Sequence, residues 1–316
     1  MSTSELLIDN FGRRIRKLRV SLLDNCNFRC TYCMPTNPKF MHKSKWLEPS
    51  ELFRIVSIIS SLGIEEVRLT GGEPTLRNDL CEIASALSAL NIKKLALTTN
   101  GFLLGRHLKG LADTRCKNIN VSLDSLDQET FSRIAMRDGF QETMDSILKS
   151  IEMGFNVKLN MVVMKGINDH EIPHFVTFAE KTGTEVRFLE LMKIGHASST
   201  QSSLFVSAQT IEDIISQSSI ITPEPSEPDA TASLYRTNKG GRIGIIAPVT
   251  RSFCATCSRW RLSPDGHLKA CLMNEGGVSL RGLSEQDIVQ ECIKALELKP
   301  FKGRRETSEM MHAIGG

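Results

Sequence analysis

Six short β-rich segments occur before residue 216, separated by amphipathic stretches, and this alternation limits the fold more than any other feature. The segments are 17–23 (KLRVSLL), 66–70 (EVRLT), 94–99 (KLALTT), 119–123 (INVSL), 156–163 (NVKLNMVV) and 185–192 (EVRFLELM). After the first, Leu52, Ile55, Val56 and Ile59 recur at helical spacing behind Ser50, a suitable N-cap. Residues 78–90 and 141–154 repeat the pattern. Strand–helix alternation predicts parallel strands joined by right-handed crossovers. The expected fold class is α/β, a partial (βα)6 TIM-like barrel with a smaller C-terminal domain. Function in such folds sits at the C-terminal ends of the strands.

The alternation stops near residue 216. Residues 222–230, TPEPSEPDA, are rich in proline and acid and read as a linker or exposed loop. A further strand is expected within 240–248 (GGRIGIIAP), and a last helix over 284–297. A chain of 316 residues has room for two domains at about 150 residues each. The barrel is therefore assigned to 1–220 and the C-terminal domain to 221–316. A net charge of +3 argues against a general nucleic-acid surface. No apolar run is long enough for a bilayer, and MSTSELLIDN lacks the basic-then-apolar pattern of a signal peptide. The expectation is a cytoplasmic protein with no membrane and no nucleic-acid partner.

Nine cysteines need an explanation in such a chain. In a reducing compartment they point to metal rather than disulfides. Six form two groups: Cys26, Cys30, Cys33 and Cys254, Cys257, Cys271. The isolated Cys81, Cys116 and Cys292 read as small core residues. Three thiolates in one loop can hold three corners of a cubane iron–sulfur cluster and leave one iron open. A zinc site completed by His42 is the alternative for the first group. Gly71-Gly72-Glu73-Pro74 follows the second strand, where glycines allow close backbone approach and exposed amides can hold an amine- or carboxylate-bearing ligand. The second group is open to two readings: a zinc knuckle completed by His267, or a second cluster whose free iron takes a substrate heteroatom.

Barrel strands covered by helices should be continuously apolar. Here Arg19, Arg68, Lys158 and Arg187 interrupt four of them, and Arg259 and Arg261 alternate near the second cysteine group. Buried cations are costly without partners. Pairing with Glu65, Glu66, Glu185 or Glu190 explains one or two easily. Alternation puts the cations on one face, a lumen suited to a polyanionic small molecule.

CNFRCTYC (26–33) followed by GGEP resembles the radical S-adenosylmethionine (SAM) superfamily. That resemblance implies a [4Fe–4S] cluster whose open iron is chelated by the amino and carboxylate groups of SAM. FCATCSRWRLSPDGHLKACL (253–272), after GRIGIIAP, is similar to the auxiliary-cluster segment of the GTP 3′,8-cyclase family. DNFGRRIRKLRVSLLDNCNFRCTYCMP, VRLTGGEPTLR, INVSLDSLD, VKLNMVVMKGIND and the final IGG extend the likeness through nearly the whole chain. It implies two [4Fe–4S] clusters and SAM as cofactors. It also implies conversion of GTP to (8S)-3′,8-cyclo-7,8-dihydroguanosine 5′-triphosphate, the first step of molybdenum cofactor biosynthesis. By this resemblance Tyr32, Gly72, Ser122 and Met192 contact SAM. Arg19, Arg68, Thr99, Lys158, Arg259, Trp260 and Arg261 contact GTP, with Trp260 contributing mainly backbone. Arg187 receives no site role and is left as an ion pair. Gly315-Gly316 is implied to reach toward the active site. One departure is Leu23 before Asp24, where the family often has threonine; no cluster ligand is lost by it. An external electron donor and a downstream cyclic pyranopterin monophosphate synthase follow from the pathway alone, and a homodimer is left open. A radical SAM enzyme acting on a peptide is the nearest rival, but a peptide does not call for so many lumenal cations.

Overall fold

Each of the six expected strands forms, because one face of every segment is largely apolar. They are β1 (Lys17–Ser21), β2 (Glu66–Thr70), β3 (Lys94–Thr99), β4 (Asn118–Ser122), β5 (Asn156–Val163) and β6 (Glu185–Glu190). Their helix-facing residues include Leu18, Val20, Val67, Leu69, Leu97, Val121, Leu159 and Phe188, all fully buried in one core. Each large aliphatic chain so buried contributes about 1.5–3 kcal/mol. The structure, a computed structural model, describes residues 7–315.

Helices cover the outer face: α1 (Pro49–Ser61), α2 (Leu80–Ser88), α3 (Leu104–Ala112), α4 (Gln128–Ala135), α5 (Phe140–Glu152) and α6 (Ile172–Thr182). The N-cap of α1 is Glu48 rather than Ser50. Pro49 takes the first helical position, where its missing N–H is no loss, and so moves the start of the helix upstream. Asp127 caps α4 through the Thr130 N–H at 2.8 Å. Gly183, at φ 71°, ends α6 in a left-handed turn.

After β6 come β7 (Lys193–Ile194), α7 (Gln201–Leu204), α8 (Ala208–Ser216), β8 (Ile221–Glu224), β9 (Ala232–Thr237) and β10 (Arg242–Ile246). They are followed by β11 (Arg259–Leu262), β12 (His267–Lys269), β13 (Val278–Ser279), α9 (Glu285–Glu297), β14 (Glu306–Thr307) and α10 (Met311–Ile314). The strand order is β13-β12-β11-β1-β2-β3-β4-β5-β6-β10-β9-β8. β11 pairs parallel with β1, and β10 pairs parallel with β6. Residues beyond 221 therefore extend the barrel sheet at both of its edges.

Residues 221–224 are not linker but an edge strand, paired antiparallel to β9. Pro223 is tolerated there because an edge strand leaves one row of N–H groups unpaired. Asp229, expected in an exposed loop, is 4% exposed and holds Arg16 at 3.0 Å and Lys17 at 2.8 Å. Among the described residues, no helix is long and apolar enough to cross a membrane.

Candidate functional site

The C-terminal ends of the strands surround a cavity of about 930 Å³. Both cysteine groups line it, and so do the residues expected to contact SAM and GTP, with Trp260 as the exception.

The first cysteine loop leaves β1 and returns to α1. Asp24 folds it by accepting the Met41 N–H at 2.7 Å and the Trp46 indole N–H at 3.2 Å. The Phe28 N–H and the Asn100 side-chain amide donate to Cys26 Sγ, at 3.4 and 3.8 Å. Burial pushes the Cys26 thiol up to about 12, and the carboxylate of Glu73 adds to it. Burial pushes Cys33 up to about 12 as well, and raises Cys30. Tyr32 donates its hydroxyl to Asp124 Oδ2 at 2.7 Å, which fixes the ring at the cavity wall. Burial raises the Asp124 carboxyl to about 6.

Gly71 and Gly72 hold the β2 loop against this one. A Cβ on Gly71 would collide with Leu23 O, and one on Gly72 with Asn25 O and Asp24 O. The Gly72 N–H donates to Leu23 O at 2.7 Å and the Glu73 N–H to Asn25 O at 2.8 Å. These two amides, expected to be exposed for a ligand, are engaged in locking the cluster loop instead. Glu73 is 1% exposed and accepts from Thr75, Thr99 and the Asn100 N–H. Thr99 thus reaches the cavity with its hydroxyl committed to Glu73 at 2.6 Å.

The cations form a row across neighbouring strands. Arg261 of β11 is in register with Arg19 of β1, and Arg19 with Arg68 of β2. Arg68 is paired with Glu66 at 3.0 Å. Lys158 and Arg187 share Glu185, at 2.8 and 2.6 Å, so Arg187 is in an ion pair as expected. Arg19 has no salt bridge among the described residues. Burial, then repulsion from Arg261 and Arg68, draws its pKa well down. Burial and Arg187 lower Lys158 to about 8 against the pull of Glu185. Five guanidinium or ammonium groups in one low-dielectric wall make a strong positive field that attracts anions.

Arg259 stacks over Phe253 at 4.9 Å. Arg261 donates to Ile314 O at 3.3 Å and to Gly315 O, so the chain's C-terminal segment touches this wall. Gly316 lies outside the described residues. Trp260 is fully buried and lies on the opposite face of β11 from its two arginine neighbours. Its side chain belongs to the core.

Cys254, Cys257 and Cys271 face the same cavity. Burial raises the Cys257 thiol, but Arg259 and Lys299 outweigh it and bring the value down to about 7. Neither histidine completes a triplet. His42 is exposed and bonds Ser44, and His267 faces Asp265 at 3.1 Å outside this cavity. Among the described residues, no three His, Cys, Asp or Glu side chains converge tightly enough for a single metal ion. Two three-thiolate sets facing one cavity fit cubane clusters, whose corners bind each thiolate at a separate iron.

Sequence reasoning missed Lys94, Asp124 and Lys299, and the mouth cations Lys302, Arg304 and Arg305. Lys94 opens β3 on the lumen side, and strand alternation was its available signal. The other positions depend on non-local packing.

A family model described as the radical SAM superfamily matches residues 20–179, and one described as Molybdenum Cofactor Synthesis C matches residues 184–310. The chain is 46% identical to a GTP 3′,8-cyclase of Synechocystis sp., covering 99% of this chain and 96% of that protein. It is 39% identical to a GTP 3′,8-cyclase of Aquifex aeolicus, covering 98% and 100%. Among solved structures it is similar to Streptococcus suis SuiB bound to S-adenosylmethionine, with TM-score 0.64 and 15% identity. That match covers 87% of this chain and 65% of SuiB, and it bears on the fold alone.

Proposed function

The chain belongs to the GTP 3′,8-cyclases of the radical SAM superfamily, and we propose how its own residues divide that reaction. The protein is a radical SAM cyclase that converts GTP to (8S)-3′,8-cyclo-7,8-dihydroguanosine 5′-triphosphate, the first step of molybdenum cofactor biosynthesis. Its cofactors are SAM and [4Fe–4S] clusters.

One observation carries the division of roles: a single cavity is lined by both cysteine triplets and by the row Arg261, Arg19, Arg68. Cys26, Cys30 and Cys33 would hold the first cluster, on the side of the cavity where SAM binds. Cys254, Cys257 and Cys271 would hold the second, on the side where the guanine binds. When bound, the first cluster and SAM supply a carbon radical that takes hydrogen from C3′ of the GTP ribose, so that C3′ can bond to C8.

The remaining work is placement and charge. Arg19, Arg68 and Lys158 clamp the triphosphate, where guanidinium–phosphate bonds are charge-assisted. Arg259 and Arg261 hold GTP beside the second triplet, with Trp260 adding only backbone. Tyr32, oriented by Asp124, meets the adenine of SAM, and Gly72, Ser122 and Met192 complete that side. Thr99 helps hold GTP while tied to Glu73. Enclosing walls keep water from the reacting carbon. An external one-electron donor supplies the reductant, and cyclic pyranopterin monophosphate synthase takes the product. Cysteine chemistry of this kind belongs in the reducing cytoplasm. A homodimer is compatible with this reading but not required by it.

The test is anaerobic reconstitution followed by SAM, reductant and GTP. The expected result is about eight irons per chain and GTP-dependent release of 5′-deoxyadenosine. About four irons together with bound zinc would defeat the two-cluster assignment.

A further inference from the structure

Lys299 follows α9 and is 3% exposed. A buried ammonium must find acceptors for its three hydrogens. Lys299 Nζ donates to Ala270 O at 2.8 Å, to Arg259 O at 2.9 Å and to Cys257 Sγ at 3.6 Å. Ala270 precedes Cys271, and Arg259 lies two residues after Cys257. One side chain therefore ties both halves of the second triplet together.

A second buried cation offers the control. Arg13 donates to Cys254 O at 2.8 Å and to Pro300 O at 2.7 Å, which pins the same region from another side. Its charge is met by Asp9 at 2.7 Å. Lys299 has no carboxylate within salt-bridge distance among the described residues. The charged partners nearest to it are the cysteine sulfurs. Among the described residues no cation donates a hydrogen bond to the first triplet's sulfurs: Cys26 accepts from a backbone N–H and a neutral amide, and Arg29 acts on it through charge alone. Hydrogen bonds and charge at cluster sulfurs set a cluster's potential.

We propose that Lys299 is a positioning residue for the second cluster: its ammonium fixes Cys257 against Cys271 and raises the reduction potential of the cluster they hold. The proposal rests on the reading that this triplet binds a cluster. A cation beside the sulfurs offsets the charge added on reduction, so the reduced state is favoured. Arg13, already neutralised by Asp9, fixes the loop without that effect.

The experiment uses the full-length chain carrying Cys30→Ala, so that the second triplet alone can hold a complete cubane. Lys299→Gln keeps a neutral donor, and Lys299→Arg keeps the charge. Iron is counted, and the midpoint potential is read by EPR-monitored titration. With Lys299→Gln, about four irons remain. The ratio of reduced to oxidised cluster at a fixed potential falls about tenfold, a negative shift of about 59 mV. Lys299→Arg stays near the parent. An unchanged potential in Lys299→Gln overturns the charge role. If Lys299→Gln fails to load while Lys299→Arg loads, the proposal stands through its positioning half. Loss of iron from both variants overturns it. A Cys30→Ala parent that takes up no iron defeats the underlying cluster reading instead.

Discussion

The two cysteine triplets face one cavity but sit in opposite electrostatic surroundings. Around Cys26, Cys30 and Cys33 the carboxylates of Glu73 and Asp124 act more strongly than Arg29 beside Cys26, and burial holds the thiols high, two of them at about 12. Around Cys254, Cys257 and Cys271 stand Arg259, Arg261 and Lys299, and Cys257 falls to about 7. A group near anions resists gaining negative charge, and one near cations accepts it. A single fold thus provides an end whose charges disfavour added negative charge and an end whose cations favour it and bind anions. That division suits a reaction that makes a radical at one place and ends it at another.

Removing one triplet at a time is the largest challenge to this contrast. Cys257→Ala is expected to abolish GTP conversion while uncoupled SAM cleavage survives, and Cys30→Ala to abolish both. Chromatography of 5′-deoxyadenosine and cyclised product decides it, and equal loss in Cys257→Ala would erase the division. Arg19→Ala removes the middle member of the cation row. It should cost about 3 kcal/mol, roughly a hundredfold in kcat/KM for GTP, with little change in SAM affinity.

Lys158 sharpens the comparison through pH. It carries its proton below about 8 and loses it above, so its hold on phosphate weakens as pH rises through that value. KM for GTP should climb by about tenfold per pH unit above the midpoint. Lys158→Arg, which stays charged, should flatten that limb of the profile. Trp260→Phe should be the mildest change. Trp260 lies on the core side of β11, and among the described residues its indole N–H has no hydrogen-bond partner. KM for GTP should not move, and stability in chemical denaturation should change by about 1 kcal/mol or less.

The barrel was legible because its pattern is local. An apolar stripe such as Leu18 and Val20, or Val67 and Leu69, fixes a strand and its buried face without reference to distant residues. The cysteine triplets were legible for the same reason, since ligand spacing is a property of one loop. Trp260 was legible too, because Arg259 and Arg261 on one face force it onto the other. The strand at 221–224 was hidden by its prolines and acids, which mark a linker unless a partner strand is known. Lys299 was hidden because its partners Ala270, Arg259 and Cys257 come together only in the folded chain. The amides of Gly72 and Glu73 were misread because nothing local tells that Leu23 and Asn25 stand against them.

β1 lies between β2 and β11, so a strand made early on the ribosome waits for one made much later. Until β11 emerges, one edge of β1 has open N–H and C=O groups and invites pairing with another chain. Closing a contact of such long range is slow. The first cysteine loop follows directly on that unfinished strand, so its thiols meet the cell before the cavity that shields them is complete. Iron delivery and completion of the sheet are thereby drawn into competition with oxidation and aggregation. Slower growth of the nascent chain between β6 and β11 should lower the yield of loaded enzyme before it touches the activity of the molecules that finish.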